Sequence, residues 1–201
     1  DGGSIETAAR DLRYKALREA ARGGGYAKIA VAHHGDDQAE TVLYHLLRGS
    51  GVTGLSGMKP INGDIIRPFL CVSKNEIKDF LKDFSYVPCH DESNDVEDAV
   101  RNRIRLSLVP ELISYNPRVT ESLRRTADIF REEDLFMEEK ADVFISSCVE
   151  HDNDKCVFFI AYFLALHIAL QRRVIRKICC MVAGRIPIFE GTETFIFLLD
   201  A

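Results

Sequence analysis

The sequence predicts an α/β fold, a doubly wound parallel sheet followed by a smaller, mainly helical domain. Three observations lead to it. Apolar runs of strand length alternate with amphipathic helical stretches over the first half of the chain. A dense ionisable cluster, His33-His34-Gly35-Asp36-Asp37-Gln38-Ala39-Glu40, comes directly after the run Lys28-Ile29-Ala30-Val31. Ligands of open α/β sheets bind outside the carboxyl ends of strands, where that cluster falls. From about Pro117 onward the pattern becomes almost wholly helical.

Glu6 to Arg22 reads as an amphipathic helix, because Ala9, Leu12, Ala16, Leu17 and Ala20 recur at helical spacing and Gly23-Gly24-Gly25 stops it. Lys28 to Ala32 reads as a short buried strand. Asp36 to Arg48 reads as a helix, with Asp36 and Asp37 where the helix dipole favours negative charge. Gly49 to Gly57 reads as a glycine-rich loop; it lacks the G-x-x-x-x-G-K-[ST] spacing of a Walker loop. Ile65-Ile66-Arg67-Pro68 reads as a second strand ended by proline. Ser73 is placed to cap a helix from Lys74 to Phe84, with Glu76 completing a capping box. Pro88 to Asp98 is acidic and polar, hence a loop. Helices resume at Arg101–Leu112 and Pro117–Cys148, broken at Asn116-Pro117. The apolar run Cys156 to Leu170 reads as a buried helix, and a short β segment is expected near Phe195–Leu199. Gly184 to Ala201 fits poorly onto the segment before it. Two strands cannot cover a sheet, so the first strands are expected before Asp1. The expected domains are 1–115, a partial α/β domain, and 116–201, mainly helical.

Composition narrows the class. The 201 residues are 46% hydrophobic and 28% charged, ordinary for a globular chain. No charge-free run of about 18 apolar residues occurs, so no membrane span is expected, and no secretory signal opens the chain. The six cysteines form no C-x-x-C pair, which argues against zinc and iron–sulfur ligation and for free thiols in a reducing cytoplasm. With 26 basic against 31 acidic residues the net charge is −5, so the chain as a whole is no basic nucleic-acid binder. Its charge is unevenly spread, however.

Four sets of residues carry the chemistry. His33 and His34 titrate near neutrality and serve as acid, base or donor. Asp36 and Asp37 suit Mg²⁺, which shares oxygen ligands with phosphate. The plainer reading of this set is a helix cap with its histidines satisfied by backbone. Arg10 and Arg13 share one helix face at i,i+3, and Arg48 lies within reach of a phosphate; a solvated surface role is the plainer alternative for each. Between Arg101 and Arg131 stand seven arginines and three acids, net +4. That contrast, led by Arg101, Arg103 and Arg105, favours RNA phosphates over a solvated face. Arg172-Arg173 opens a second basic cluster.

Together these segments resemble the tRNA(Ile)-lysidine synthetase family of the N-type ATP pyrophosphatase (PP-loop) superfamily. The resemblance runs through Ala9-Arg10-Asp11-Leu12-Arg13-Tyr14, His33-His34-Gly35-Asp36-Asp37-Gln38-Ala39-Glu40-Thr41, and Leu47-Arg48-Gly49-Ser50-Gly51 with Gly54-Leu55. It continues through Arg67-Pro68-Phe69-Leu70, Asp91-Glu92-Ser93-Asn94, and Arg101-Asn102-Arg103-Ile104-Arg105 to Val109-Pro110. It covers roughly residues 5–135 in family order, and Ala169-Leu170-Gln171-Arg172-Arg173 resembles part of the family's helical domain. The family's S-G-G-x-D-S loop is absent and is expected upstream of residue 1.

The resemblance implies a PP-loop (adenine nucleotide alpha hydrolase-like) fold, ATP and Mg²⁺, and a ligase reaction. ATP adenylates O2 of the wobble cytidine in a tRNA(Ile) with a CAU anticodon; free L-lysine then attacks C2 and displaces AMP. It implies Asp37, with Asp36 in support, for metal or for orienting the lysine amine. His34 and His33 would contact the α-phosphate or the cytidine. Arg10 or Arg13 would stabilise the adenylate, with Arg48 at a phosphate. Arg101, Arg103, Arg105, Arg172 and Arg173 would hold tRNA phosphates. A homodimer is implied by dimeric members. The competing readings are another PP-loop tRNA-modifying enzyme, a non-catalytic tRNA-binding paralogue, and a metal hydrolase built on His33–Asp37.

Overall fold

A computed structural model describes residues 5–84, 86, 100–152 and 155–183. The chain divides into two compact units, Asp1–Arg131 and Glu132–Ala201. The expected acidic loop, with Asp91-Glu92-Ser93-Asn94, and the β segment near Phe195 lie outside the described residues.

The first unit opens with helix α1 (Ile5–Gly23), ended as expected by the glycines. Helix formation and burial part company here, because Leu12 stays 68% exposed. Strand β1 (Ile29–Ala30), shorter than the expected Lys28–Ala32, pairs in parallel with β3 (Ile65–Ile66). The sheet order is β1-β3-β2. The third strand, β2 (Ile61–Asn62), was not foreseen; it runs antiparallel to β3. The two-residue turn Gly63-Asp64 joins them, and Gly63 at φ +60° supplies the left-handed backbone that such hairpins require. The sheet is therefore mixed rather than wholly parallel. Asp64, in that turn, accepts from both Nε and Nη2 of Arg18 at 2.7 and 3.2 Å and ties α1 to the hairpin.

Helix α2 (Gly35–Leu47) follows β1 and supplies Ala39, Val42 and Leu43 to the buried apolar residues of this unit, with Ile65, Leu70, Ile104 and Ala127. The glycine-rich stretch is not all loop: it closes into the short helix α3 (Val52–Leu55). Gln38, 1% exposed, fixes the segment just after that helix. Its Oε1 accepts from the Met58 N–H at 2.7 Å and its Nε2 donates to the Met58 carbonyl at 3.1 Å. Helix α4 (Lys74–Asp83) starts as expected, with Ser73 and Glu76 in a reciprocal capping box.

Residues Val100 to Tyr115 form one helical rod, made of α5 (Val100–Arg103), a π turn (Ile104–Leu108) and α6 (Val109–Tyr115). Pro110 explains the widened turn. Its ring crowds the carbonyl four residues back, and the chain relaxes by giving the Val109 N–H to the Ile104 carbonyl. Helix α7 (Val119–Cys148) begins after the break at Asn116-Pro117 and carries the division between the units.

In the second unit, the expected buried helix over Cys156–Leu170 is replaced by three elements. A hairpin pairs β4 (Val149–Asp152) with β5 (Lys155–Phe158), then come α8 (Ile160–Leu164) and α9 (Ile168–Ala183). The reason is period 2 in place of 3.6: Cys156 and Phe158 turn inward while Val157 is exposed. Ala141, Phe144, Phe163, Val174 and Ile178 form the core, with the Phe158 and Phe163 rings 5.3 Å apart. Arg173 reaches Asp134 at 2.7 Å and Glu138 at 2.6 Å, and Lys177 reaches Asp142 at 2.6 Å, so α9 is laced to α7.

Candidate active site at the amino end of helix α2

The expected cluster lies where β1 hands over to α2. His34 is the N-cap residue: its Nδ1 accepts the Asp37 N–H at 3.4 Å, and Asp37 Oδ2 accepts the His34 N–H at 3.0 Å. This is a capping box with histidine in place of serine, and it requires an unprotonated Nδ1. The plainer reading of His34 is thus present in the structure. No hydrogen bond to its Nε2 occurs among the described residues. Asp36 Oδ2, 3.7 Å from His34 Nδ1, accepts the Lys74 N–H at 2.6 Å at the start of α4. Gly35 lies between them with its N–H on the Val72 carbonyl at 2.7 Å. A Cβ on Gly35 would stand 2.9 Å from that carbonyl and 2.6 Å from Arg124 Nη1. Gly35→Ala is therefore expected to cost about 1–3 kcal/mol by overpacking, read as a lower thermal midpoint.

One turn along α2, Glu40 shares the face of Asp37. Arg105 joins the two. Its Nε donates to Glu40 Oε1 at 2.7 Å, while its Nη2 donates to Glu40 Oε2 at 2.8 Å and to Asp37 Oδ1 at 2.9 Å. Those bonds outweigh burial and hold the Arg105 proton more tightly than usual. Arg101, one turn earlier, donates to Thr41 Oγ1 at 3.0 Å, and Thr41 Oγ1 donates in turn to the Asp37 carbonyl at 2.8 Å. The start of the Val100–Tyr115 rod thus sets Arg101 and Arg105 against α2. Sequence reasoning gave neither Glu40 nor Thr41 a role. The signal was available: Glu40 lies three residues after Asp37 on a strongly patterned helix.

His33 is half-buried, and its Nδ1 has no hydrogen-bond partner among the described residues. Burial lowers its proton affinity; Asp37 opposes, and Arg67, Arg101 and Arg13 reinforce. Burial likewise lowers that of His45, aided by Arg48 and Arg101. Both rings are neutral in the native protein at pH 7 and charge more readily once unfolded. The unfolded chain therefore binds more protons below about pH 6.5, and stability falls as pH drops through that value. Each histidine contributes at most about 1.4 kcal/mol per pH unit. Melting from pH 8 to 5 checks this: the wild-type midpoint is expected to fall below pH 6.5, with a shallower fall in His45→Gln.

The other expected residues divide. Arg10 and Arg13 lie 5.9 and 5.8 Å from the Tyr14 ring centroid, and Arg13 is close enough to His33 to act on its charge. Arg48 stacks on Tyr44 and donates to its hydroxyl. Arg103 and Arg172 are exposed. Arg101, Arg105 and Arg173 are partly buried and bonded to side chains of the protein: Arg101 to Thr41, Arg105 to Glu40 and Asp37, and Arg173 to Asp134 and Glu138. At the carboxyl end of β3, Pro60, Ile66, Pro68 and Leu70 wall a cleft of about 570 Å³, with Arg67 and Arg124 among its lining.

The model of the PP-loop domain matches residues 1–112. The chain belongs to the PP-loop family. It is 38% identical over 202 residues to the tRNA(Ile)-lysidine synthase of Caldanaerobacter subterraneus subsp. tengcongensis, covering 99% of this chain and 43% of that protein. Against the enzyme of the same name from Geobacillus kaustophilus it is 36% identical over 190 residues, 92% of this chain and 41% of the relative. Against that of Bacteroides thetaiotaomicron the figures are 44% over 125 residues, 62% and 29%. The chain thus spans less than half the length of these PP-loop relatives. Among the described residues, no helix is long and apolar enough to cross a membrane.

Proposed function

We propose that this PP-loop chain is the catalytic portion of a ligase that modifies tRNA, joining lysine to C2 of the wobble cytidine of tRNA(Ile) at the expense of ATP. The observation that carries the reading is the Asp37–Glu40 pair, which already grips a cation, beside a neutral His33 at the carboxyl end of β1. The names of the relatives agree with it.

A phosphate-bearing group fits this place. His33 Nδ1 is buried without a partner among the described residues, and Arg13 and Arg101 lie near enough to lower its charge. ATP, when bound, supplies the adenylyl group: cytidine O2 bonds to the α-phosphorus and pyrophosphate leaves. A metal fits less well. Asp36 is engaged with the Lys74 N–H, and Asp37 with Arg105. The Mg²⁺ implied by the resemblance therefore enters no step here.

Lysine arrives as an ammonium ion and must lose a proton before it attacks. Asp37 offers a carboxylate to hold and orient it beside the Arg105 guanidinium, which stays on Glu40. His33, neutral at pH 7, is placed to take the proton. The amine nitrogen then bonds to C2, and the C2–O bond breaks with its electron pair going to AMP. Arg13 stabilises the phosphate charge that develops. Arg103 and Arg172, exposed on their helices, hold tRNA phosphates.

The test uses the product of the complete gene with a tRNA(Ile) transcript. AMP release is expected only when tRNA and lysine are both present. AMP released without tRNA, or none released while tRNA binds, would sink the reading; the second result favours a binding module.

A further inference from the structure

We propose that the cleft between α1 and the β2–β3 hairpin is a groove for RNA backbone. The inference deepens the tRNA reading above and rests on it. The cleft encloses about 470 Å³. Four cations line it without a carboxylate partner among the described residues: Arg10, Lys15 and Arg22 from α1, and Arg67 after β3. Asp11 is the one acid of the lining, and Arg18 is already held by Asp64.

Arg67 forms the floor. It is 8% exposed, its Nη1 donates to the Lys59 carbonyl at 2.8 Å, and its Nε is buried with no acceptor among the described residues. An unmet buried donor on a cation is costly, and the positive charge left uncompensated at the floor favours an anion in the cleft. The wall fixes the kind of anion. From Arg10 to Arg22 the helix rises about 18 Å, a row that suits successive phosphates rather than a single one. Tyr14 lies within the row, with the Arg10 and Arg18 guanidinium groups 5.9 and 6.0 Å from its ring centroid. Alternating cations and an aromatic face are what a single strand needs, phosphates on the first and a base on the second. Arg67 is also close enough to act on the charge of His33, so the groove leads toward the α2 site.

The test measures fluorescence anisotropy of a labelled single-stranded RNA of about 12 nucleotides on the intact chain, across a salt series. The compared variant is Lys15→Ala with Arg22→Ala, both exposed and outside the α2 cluster. Each lost phosphate contact removes about 0.7 from the slope of log affinity against log salt, so the double variant is expected to bind more weakly with a slope shallower by about 1.4. An unchanged slope, or no binding by the wild type, overturns the groove. Complete displacement of the RNA by inorganic pyrophosphate also overturns it, because the cleft then serves a free nucleotide. Failure of lysine transfer with the slope change intact sinks the reaction and leaves the groove standing.

Discussion

Arg105→Ala is expected to destabilise the protein by about 3 kcal/mol, a fall of about 6–12 °C in thermal midpoint. The guanidinium satisfies both oxygens of Glu40, whose side chain is 6% exposed, and one of Asp37. Removing it leaves a buried carboxylate with no counter-charge. The cost lies at the low end for such a deletion, because Arg105 itself is 30% exposed and water screens part of the interaction. Two companions distinguish the cause. Arg105→Lys keeps the charge but not the fork, so it should recover only part of the loss. Adding Glu40→Gln to Arg105→Ala should restore much of the midpoint, because the unpaired charge is gone. If the double variant melts no higher than Arg105→Ala, lost packing rather than the stranded carboxylate is responsible.

Asp37→Asn is expected to lower the rate of lysine transfer by about 10²-fold, the size of loss that misplacing a reacting group produces. The amide keeps an oxygen to accept the His34 N–H, so the cap of α2 survives, and a change of about 1 kcal/mol or less in stability is expected. Arg105 retains Glu40. The signature is a collapse in turnover at a nearly unchanged midpoint, with tRNA affinity preserved. Comparable losses in tRNA affinity and midpoint would instead mean that Asp37 acts only as a cap.

Much of this site was legible before the fold. The strand-to-helix position of His33–Asp37, the dipole-favoured carboxylates and the Ser73–Glu76 capping box come from local rules that tertiary packing did not override. What the sequence left out depends on distance. Arg105 lies 65 residues from Glu40, and no local pattern says which arginine of a basic helix turns inward. The same holds for Arg173, which reads as a surface cation until Asp134 and Glu138 face it. The short β2 strand escaped notice because two residues carry no period. Over Cys156–Leu170, apolar content masked an alternation that only the pairing with β4 exposes. Arg67 was read as a strand residue before proline, yet its buried, unmet Nε is the observation behind the groove.

The most direct measurement tracks radiolabelled lysine onto a tRNA(Ile) transcript bearing the CAU anticodon, with Mg-ATP and the product of the complete gene. Acid-precipitable label is expected that requires ATP, survives mild alkaline deacylation and is abolished in His33→Ala and Asp37→Ala. Label that alkali removes, or label undiminished in both variants, would contradict a lysine-transfer site at the amino end of α2.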